Sequence, residues 1–410
     1  MMENRFQVLP LEGLVNFKTG KLNSNAAKPD GMFPFFTCSQ ETFRTDTWSF
    51  DGEYVLLAGN NAAGIYPLKY FNGKFDAYQR TYAINSIGEN VLVTRYIYYA
   101  LRLQLELMKS ISTGVATKFL TLSLLNRTQI PIPHLPTQRK IAAILSAYDD
   151  LIDNNLRRIK ILEEMAQNLY REWFVKFRFP GHQHARCTDS SLGSIPEGWE
   201  VVSISDVAII HRGRSYKGTE LADEGGRPFI NLKCMERDGG FQSSGLKRYT
   251  GLFKDTQTVR AGEMVMAITD MTQERRIVAR VGRVSRLDAD FGVVSMDLVR
   301  VASRGNLSET YLYAMFRWSG FADEVKQHAN GANVLHLLPD RINEYRFVCP
   351  TSDIAARFGE IVLPMLSLCD SLEQKNTALH RTRDLLLPKL ISGEVDVSEL
   401  DIAVPEEAVT

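Results

Sequence analysis

Residues 136–177 read PTQRKIAAILSAYDDLIDNNLRRIKILEEMAQNLYREWFVKF. Within this run Ile141, Leu145, Tyr148, Ile152, Asn155, Ile159, Leu162, Ala166, Leu169 and Trp173 recur at alternating intervals of four and three. Only a helix lines such positions along one side, and a sustained four–three alternation is the sequence form of a coiled-coil seam. No Gly or Pro breaks the run after Pro136. At ~1.5 Å per residue, about 40 residues make a rod roughly 60 Å long, and its seam needs a partner. Asn155 is the polar seam residue, a type that fixes register at some cost in stability. Arg157, Arg158 and Lys160 point outward, as a solvated face or a protein dock. The aromatic end (Trp173, Phe174, Phe177, then Phe179) is too apolar for water and is expected to pack on a module or to dock a partner.

A chain of 410 residues should hold two or three domains. Its 44% hydrophobic content is enough for a large core, and no stretch approaches the ~18 apolar residues of a membrane helix. The start, MMENRFQVLP, lacks the basic and apolar regions of a signal peptide. Cys38, Cys187, Cys234, Cys349 and Cys369 are scattered without a C-x-x-C, which fits reduced thiols in a cytoplasm. The expected localisation is cytoplasmic. His182, His184 and Cys187 lack a fourth ligand nearby, so no metal site is expected. Lys plus Arg and Asp plus Glu number 48 each, but residues 351–410 carry 5 basic against 11 acidic residues, leaving the rest mildly basic. In 181–350, 17 of the 22 basic residues are Arg, the side chain that reads guanine edges bidentately.

The chain repeats itself. Aligning Phe6 on Trp199 brings Leu11 onto Ile204, Val15 onto Ala208 and Gly20 onto Gly213. PFFTCSQ (34–40) falls on PFINLKC (228–234), and DGEYVLLA (51–58) on AGEMVMAI (261–268). STGVATKFL recurs as ANGANVLHL, and the helical stretch 91–110 as 309–327. At an offset of 221 the rod recurs too: Asp149 falls on Asp370, Asn155 on Asn376 and Leu169 on Leu390. The second seam reads Ile361, Met365, Leu368, Leu372, Lys375, Leu379, Thr382 and Leu386, with Pro364 predicting a start near 360 or a bend there. The expected plan is a strand-rich module (1–135), a helix (136–178), a linker (179–194), a second module (195–350), a second helix (351–393) and an acidic tail (394–410). In fold class this is α/β or α+β modules plus long helices that pair antiparallel, placing the modules at opposite ends with internal pseudo-two-fold symmetry. Such symmetry suits a DNA duplex, as dyad-related reading heads suit half-sites.

Marks of catalysis are missing. There is no phosphate-binding G-x-x-x-x-G-K-[ST], no G-x-G-x-x-G after a strand, no Asn-Pro-Pro-aromatic run, and no zinc hydrolase or deaminase signature. Pro339-Asp340 begins like a nuclease core, but Glu344-Tyr345-Arg346 lacks the lysine. The chain is expected to do no chemistry alone.

IPEGWE (195–200), LPTQRKIAAILSAYDDLIDNN (135–155), GKFDAYQRTYAI (73–84), GEMVMAITDMTQERRIVARVGRV (262–284) and LLLPKLISGEV (385–395) resemble the specificity subunit of a type I restriction–modification enzyme. The resemblance implies that each module reads one half of a bipartite, asymmetric DNA target. It also implies that the helices dock two methylase subunits, to which nuclease–translocase subunits add. S-adenosylmethionine, ATP and Mg would then sit on the partners, with no cofactor in this chain. One departure stands out. The first helix begins with Pro136, Gln138, Ile141 and Ala142, whereas Pro350 is followed by Thr351, Ser352 and Asp353 with no Gln. The alternative from a different class is a non-catalytic protein-binding scaffold on the same helical spacer; a nuclease in its own right is disfavoured by the missing motifs.

For DNA contacts, TDMTQERRIVARVGR draws attention because Arg275, Arg276, Arg280, Arg283 and Arg286 fall within twelve residues. Strand alternation over 277–282 would send only some to one face, leaving Gln273, Arg275 and Arg276 at a turn where Arg favours guanine and Gln adenine. An ion-paired, solvated hairpin is the competing reading. In the first module Asn60 and Asn61 stand at a turn, with Lys69, Lys74 and Arg80 as phosphate ligands. Lys118, and Asn333 with His336 in its repeat, are further contacts, and His211, Arg212 and Arg214 flank the second module's glycine turn.

Overall fold

The computed structural model describes residues 6–61, 65–88, 90–112 and 118–404. They form two compact units, residues 1–154 with 376–410, and residues 155–375. The expected division into separate modules and helices is therefore corrected. Each long helix is split between the units, because its apolar face is part of each unit's core.

In the first unit a four-stranded sheet runs in the order Val15–Thr19, Thr81–Ser86, Glu53–Ala58, Leu68–Asn72. A second sheet joins Thr42–Thr45, Phe33–Phe36 and Asp76–Ala77, the last pair parallel. Gln7–Pro10 pairs with Gln129–Ile132. The run EYVLLA at 53–58 is nearly all buried, as expected of a central strand covered on both faces. The helix Thr94–Ile111 packs on it, burying Tyr96, Ile97, Ala100 and Leu101.

The second unit repeats this plan. Its four-stranded sheet runs Ala208–Arg212, Leu298–Ser303, Met264–Ala267, Val281–Arg283, strand for strand the same order. Arg227–Ile230 pairs parallel with Gly292–Val294, and Glu200–Ser203 pairs with Arg346–Cys349. The repeat read from the sequence is thus a repeat of topology. The segment 179–194, expected as an aperiodic linker, instead carries a hairpin, Cys187–Ser190 with Gly193–Pro196.

The first long helix spans Leu135–Tyr170 and ends in a π-helical turn, Arg171–Val175. All ten seam positions from Ile141 to Trp173 are buried or half-buried. The second runs Ser352–Ser392 without interruption, so the start or bend predicted at Pro364 is corrected. Pro364 lies on the exposed side, where the carbonyl it leaves unpaired faces water. Within the second unit Tyr170 meets Phe358 at 6.3 Å and Cys369 Sγ approaches the Ile159 carbonyl at 3.9 Å. Within the first, Arg383 reaches Asp149 at 2.5 Å. In both units the helices therefore run antiparallel.

Half of the second seam is also corrected. Met365, Leu372, Leu379 and Leu386 are buried or half-buried, but Ile361 and Leu368 are 43% and 38% exposed, and Lys375 and Thr382 are exposed too. The buried positions lie one residue later, at Val362, Cys369, Asn376 and Arg383. Arg383 is tolerated there because Asp149 and Asp384 neutralise its guanidinium.

The absent glutamine has a physical explanation. Gln138 is 1% exposed; its Oε1 accepts from the Val93 N–H at 2.9 Å and its Nε2 donates to the Pro133 carbonyl at 2.9 Å. It thereby caps the helix Thr94–Ile111, whose N-cap Val93 has no side-chain acceptor. At the offset of 221 this position is Gly359. An ideal Cβ there would stand 2.4 Å from the Ser308 hydroxyl. Ser308 caps its own helix by accepting from the Tyr311 N–H, so no glutamine is required.

The acidic tail is partly anchored. Val397 is buried in the first unit's core and Lys140 Nζ donates to the Ser398 carbonyl at 2.6 Å.

The aromatic end of the first helix is no docking surface. Trp173 and Phe174 are 6% and 8% exposed in the second unit's core, and Phe177 lies edge-on to Trp199 at 5.4 Å. Of the two destinations expected for these rings, their own module takes them, because only a covered core suits so many apolar faces.

On one flank of the helix pair in the second unit, Glu163, Asp370 and Glu373 gather with Glu236 around Arg283, which is ion-paired to Asp370. Burial first, then Asp370, Glu236 and Glu163, push the Glu373 carboxyl up to about 7, with Arg283 opposing. A carboxyl raised in the folded state adds stability that is complete below its unfolded value and disappears as pH rises through the folded one. Glu373→Gln is therefore expected to stabilise the second unit by about 1–2 kcal/mol at pH 8, after discounting for partial exposure. The gain should shrink toward nothing below pH 5. Thermal melts across pH check this; a gain independent of pH would exclude titration as its source.

Candidate nucleic-acid interface

In each unit a short ladder closes the edge next to the four-stranded sheet. In the first, Asn60–Asn61 pairs with Lys118–Phe119. In the second, Thr269–Asp270 pairs with Leu335–His336. The backbone after the central strand forces this: Gly59 N–H donates to the Arg80 carbonyl at 2.8 Å, and Leu120 N–H donates to Gly59 at 2.9 Å.

The first ladder gathers four of the expected residues. Asn60 and Asn61 face Lys118 and Phe119 across the ladder, and the exposed Arg80 guanidinium lies 5.7 Å over the Phe119 ring. Cys38 Sγ donates to Asn60 Oδ1 at 3.0 Å, fixing the amide's orientation. Asn61 Oδ1 accepts from the Ile65 N–H at 3.3 Å, so it also shapes the turn. Lys69 is elsewhere. Its Nζ donates to the Glu41 carbonyl at 2.8 Å and to Thr42 Oγ1 at 3.0 Å, and burial lowers its pKa against the pull of Glu41. Lys74 stacks on the half-exposed Trp48 at 4.5 Å, apart from this cluster.

In the second unit the arginine-rich segment is built differently from the expected strand. Pairing begins only at Val281; Val278 and Ala279 are buried in a turn, and Arg275 and Ala279 have positive φ. Asp270, 1% exposed, accepts from Thr272 N and Oγ1, both at 2.9 Å, from Ile277 N at 2.8 Å and from Val278 N at 3.3 Å. Burial raises its pKa, but those hydrogen bonds outweigh it and hold the carboxyl below its usual value. Arg275 donates to Gln327 Oε1 at 3.0 Å and to the Ala329 carbonyl at 3.4 Å. Arg276 is ion-paired to Asp238, Arg280 to Asp323 at 2.7 Å, and Arg283 to Asp370. Gln273 Nε2 donates to the carbonyls of Gly331 and Ala332 at 3.3 and 3.0 Å. The ion-paired reading is the one the side chains follow.

Asn333 and His336 are exposed at the second ladder. His211 sits in a strand opposite Arg300, and burial and that guanidinium push its pKa down. Arg212 is exposed on the same strand, and Arg214 Nε donates to Tyr249 OH at 3.3 Å. A cleft of about 880 Å³ in this unit is lined by Lys233, Arg237, Lys247, Gln242, Met271 and Ile277 among others. Its exposed cations escaped sequence reasoning because they are dispersed; the only clue was the alignment of PFFTCSQ on PFINLKC.

Residues 3–164 match the family described as Type I restriction modification DNA specificity domain. The Type I restriction enzyme MjaIX specificity subunit of Methanocaldococcus jannaschii is 27% identical over 77% of this chain and 72% of its own length. The chain is thus similar to type I restriction–modification specificity subunits. The Type I restriction enzyme EcoDI specificity subunit of Escherichia coli is 29% identical over 50% of this chain and 49% of its own. The crystal structure of a Type-I restriction-modification system S subunit from M. genitalium shares the fold: TM-score 0.65 at 15% identity, covering 95% of this chain and 98% of that one. For a specificity-subunit fold, the two ladders are corresponding edges of duplicated modules.

Proposed function

We propose that this chain is the sequence-specific DNA-recognition subunit of a type I restriction–modification complex and carries no catalytic centre of its own. Each unit reads one half of a bipartite target. The observation that supports this best is the duplicated ladder, which sets Asn60, Asn61, Arg80 and Lys118 together on one unit and Asn333 and His336 on the other. Asn offers a donor and an acceptor to a base edge, while Arg and Lys hold phosphates. Binding of mixed-sequence duplex by the purified chain should be measurable at low salt and weaken steeply as salt rises, since each neutralised phosphate releases counterions. Absence of salt-sensitive binding would point to the scaffold reading instead.

The helix pair docks methylase subunits in this proposal, with S-adenosylmethionine on the methylase and ATP and Mg on the nuclease–translocase. In the second unit Met165, Ile361 and Leu368 each precede a buried seam residue, which places them on one flank of an antiparallel pair. They are 50%, 43% and 38% exposed, beside Ile161 at 54%. A charge placed there should abolish docking while sparing the seam. Met165→Glu or Leu368→Glu is expected to lose co-purification with the methylase and keep the wild-type melting temperature; retained co-purification places the dock elsewhere.

A further inference from the structure

We propose that the second unit reads bases with Met271, which lines the cleft whose cations Lys233, Arg237 and Lys247 hold the phosphates, and with Glu274, three residues further along the same exposed loop. This rests on the DNA-recognition reading above and moves the contacts away from the arginine run.

The loop after Asp270 is preset before any ligand arrives. Its closing carboxylate takes four hydrogen bonds from three residues of the loop, and Gln273 and Arg275 tie the same loop to the segment 327–332. Those two side chains are spent on the scaffold, and Arg276 and Arg280 face acidic partners. Met271 and Glu274 are exposed, Met271 by 64%, and the Glu274 carboxylate makes no hydrogen bond or ion pair among the described residues. A tip held this rigidly presents its outward side chains at little further ordering cost, which favours specificity. Met271 lines the 880 Å³ cleft together with the exposed cations Lys233, Arg237 and Lys247, which outnumber the two carboxylates there, Glu236 and Asp297. Cations that flank a groove fix the duplex in register; they do not select sequence.

The chemistry of the tip selects the base class. A carboxylate only accepts, so Glu274 suits an exocyclic amino group, cytosine N4 or adenine N6, and rejects guanine O6 and N7 or thymine O4. The flexible, polarisable Met271 side chain suits the thymine methyl group. The second half-site is therefore expected to carry an amino-bearing base where Glu274 points, and not the guanine that an arginine reader would impose.

The test is selection from randomised duplexes with the full-length chain, followed by anisotropy on the selected sites. Glu274→Gln, which adds a donor, should relax the preference at one position of one half-site by roughly tenfold. The other half-site, read in the same selection, reports that the chain is folded and engaged. Lys233→Ala with Lys247→Ala should weaken all sequences alike and flatten the salt dependence by about one phosphate each. A Glu274→Gln chain that selects the wild-type half-site overturns the assignment of the tip. A double lysine variant that changes preference but not affinity overturns the assignment of the cations. A wild-type chain that binds no duplex at low salt overturns the DNA-recognition reading itself.

Discussion

Trp173→Ala should destabilise the second unit by about 3–5 kcal/mol, the usual loss for a large aromatic removed from a core. Trp173 is 6% exposed, its ring 5.9 Å from Phe358 and 6.1 Å from Phe174. Phe358 in turn meets Phe174 at 5.0 Å, so the cavity would open where both long helices meet the module. Neighbouring rings cannot close it without leaving their own edge-to-face contacts. Urea unfolding followed by tryptophan fluorescence and circular dichroism measures the loss. A surface dock would behave oppositely, with unchanged stability and weakened association; that outcome would remove Trp173 from the core.

Gly20→Ala and Gly213→Ala should each cost about 3 kcal/mol or more, because relief needs a backbone shift. A Cβ on Gly20 would stand 1.8 Å from the Ala77 carbonyl oxygen, and one on Gly213 2.0 Å from that of Ser295. Neither glycine has positive φ, so close approach is the whole reason for it. Both sit where the edge strand of the four-stranded sheet leaves to cross the neighbouring sheet, at Leu22↔Tyr78 and Arg214↔Ser295. The two losses should match, since the repeat places one crossing in each unit. Gly218→Ala, with nothing within 4 Å of its Cβ, is the control and should be nearly silent. Denaturant midpoints decide; a mild effect at one site alone would show that the two crossings are not equivalent.

How much of this was legible in the sequence depends on the residue. The first seam was, because apolar residues occupy nine of its ten positions and nothing competes for them. The second seam was half legible. At IVL (361–363) and SLC (367–369) apolar residues fill adjacent registers, and hydrophobicity alone prefers Ile361 and Leu368 to positions that continue into Asn376 and Arg383. The repeat offset of 221 contained the answer, carrying Tyr148 onto Cys369 and Asn155 onto Asn376. A buried arginine is acceptable only once folding supplies Asp149, which no window of sequence shows. The interface was least legible. A cluster of arginines stands out in a sequence, yet the acids that occupy them, Asp238 and Asp323, lie about forty residues away on either side. Dispersed Lys233 and Lys247 carry no local signal at all.

The salt bridge from Arg383 to Asp149 also decides which helices can meet. Any helix lying antiparallel on the second one must set an acid opposite Arg383, and at the offset of 221 a copy of the second helix does so with Asp370 in the place of Asp149. This contact therefore does not tell the first helix from a copy of the second, but it excludes any newcomer that lacks an acid at that level.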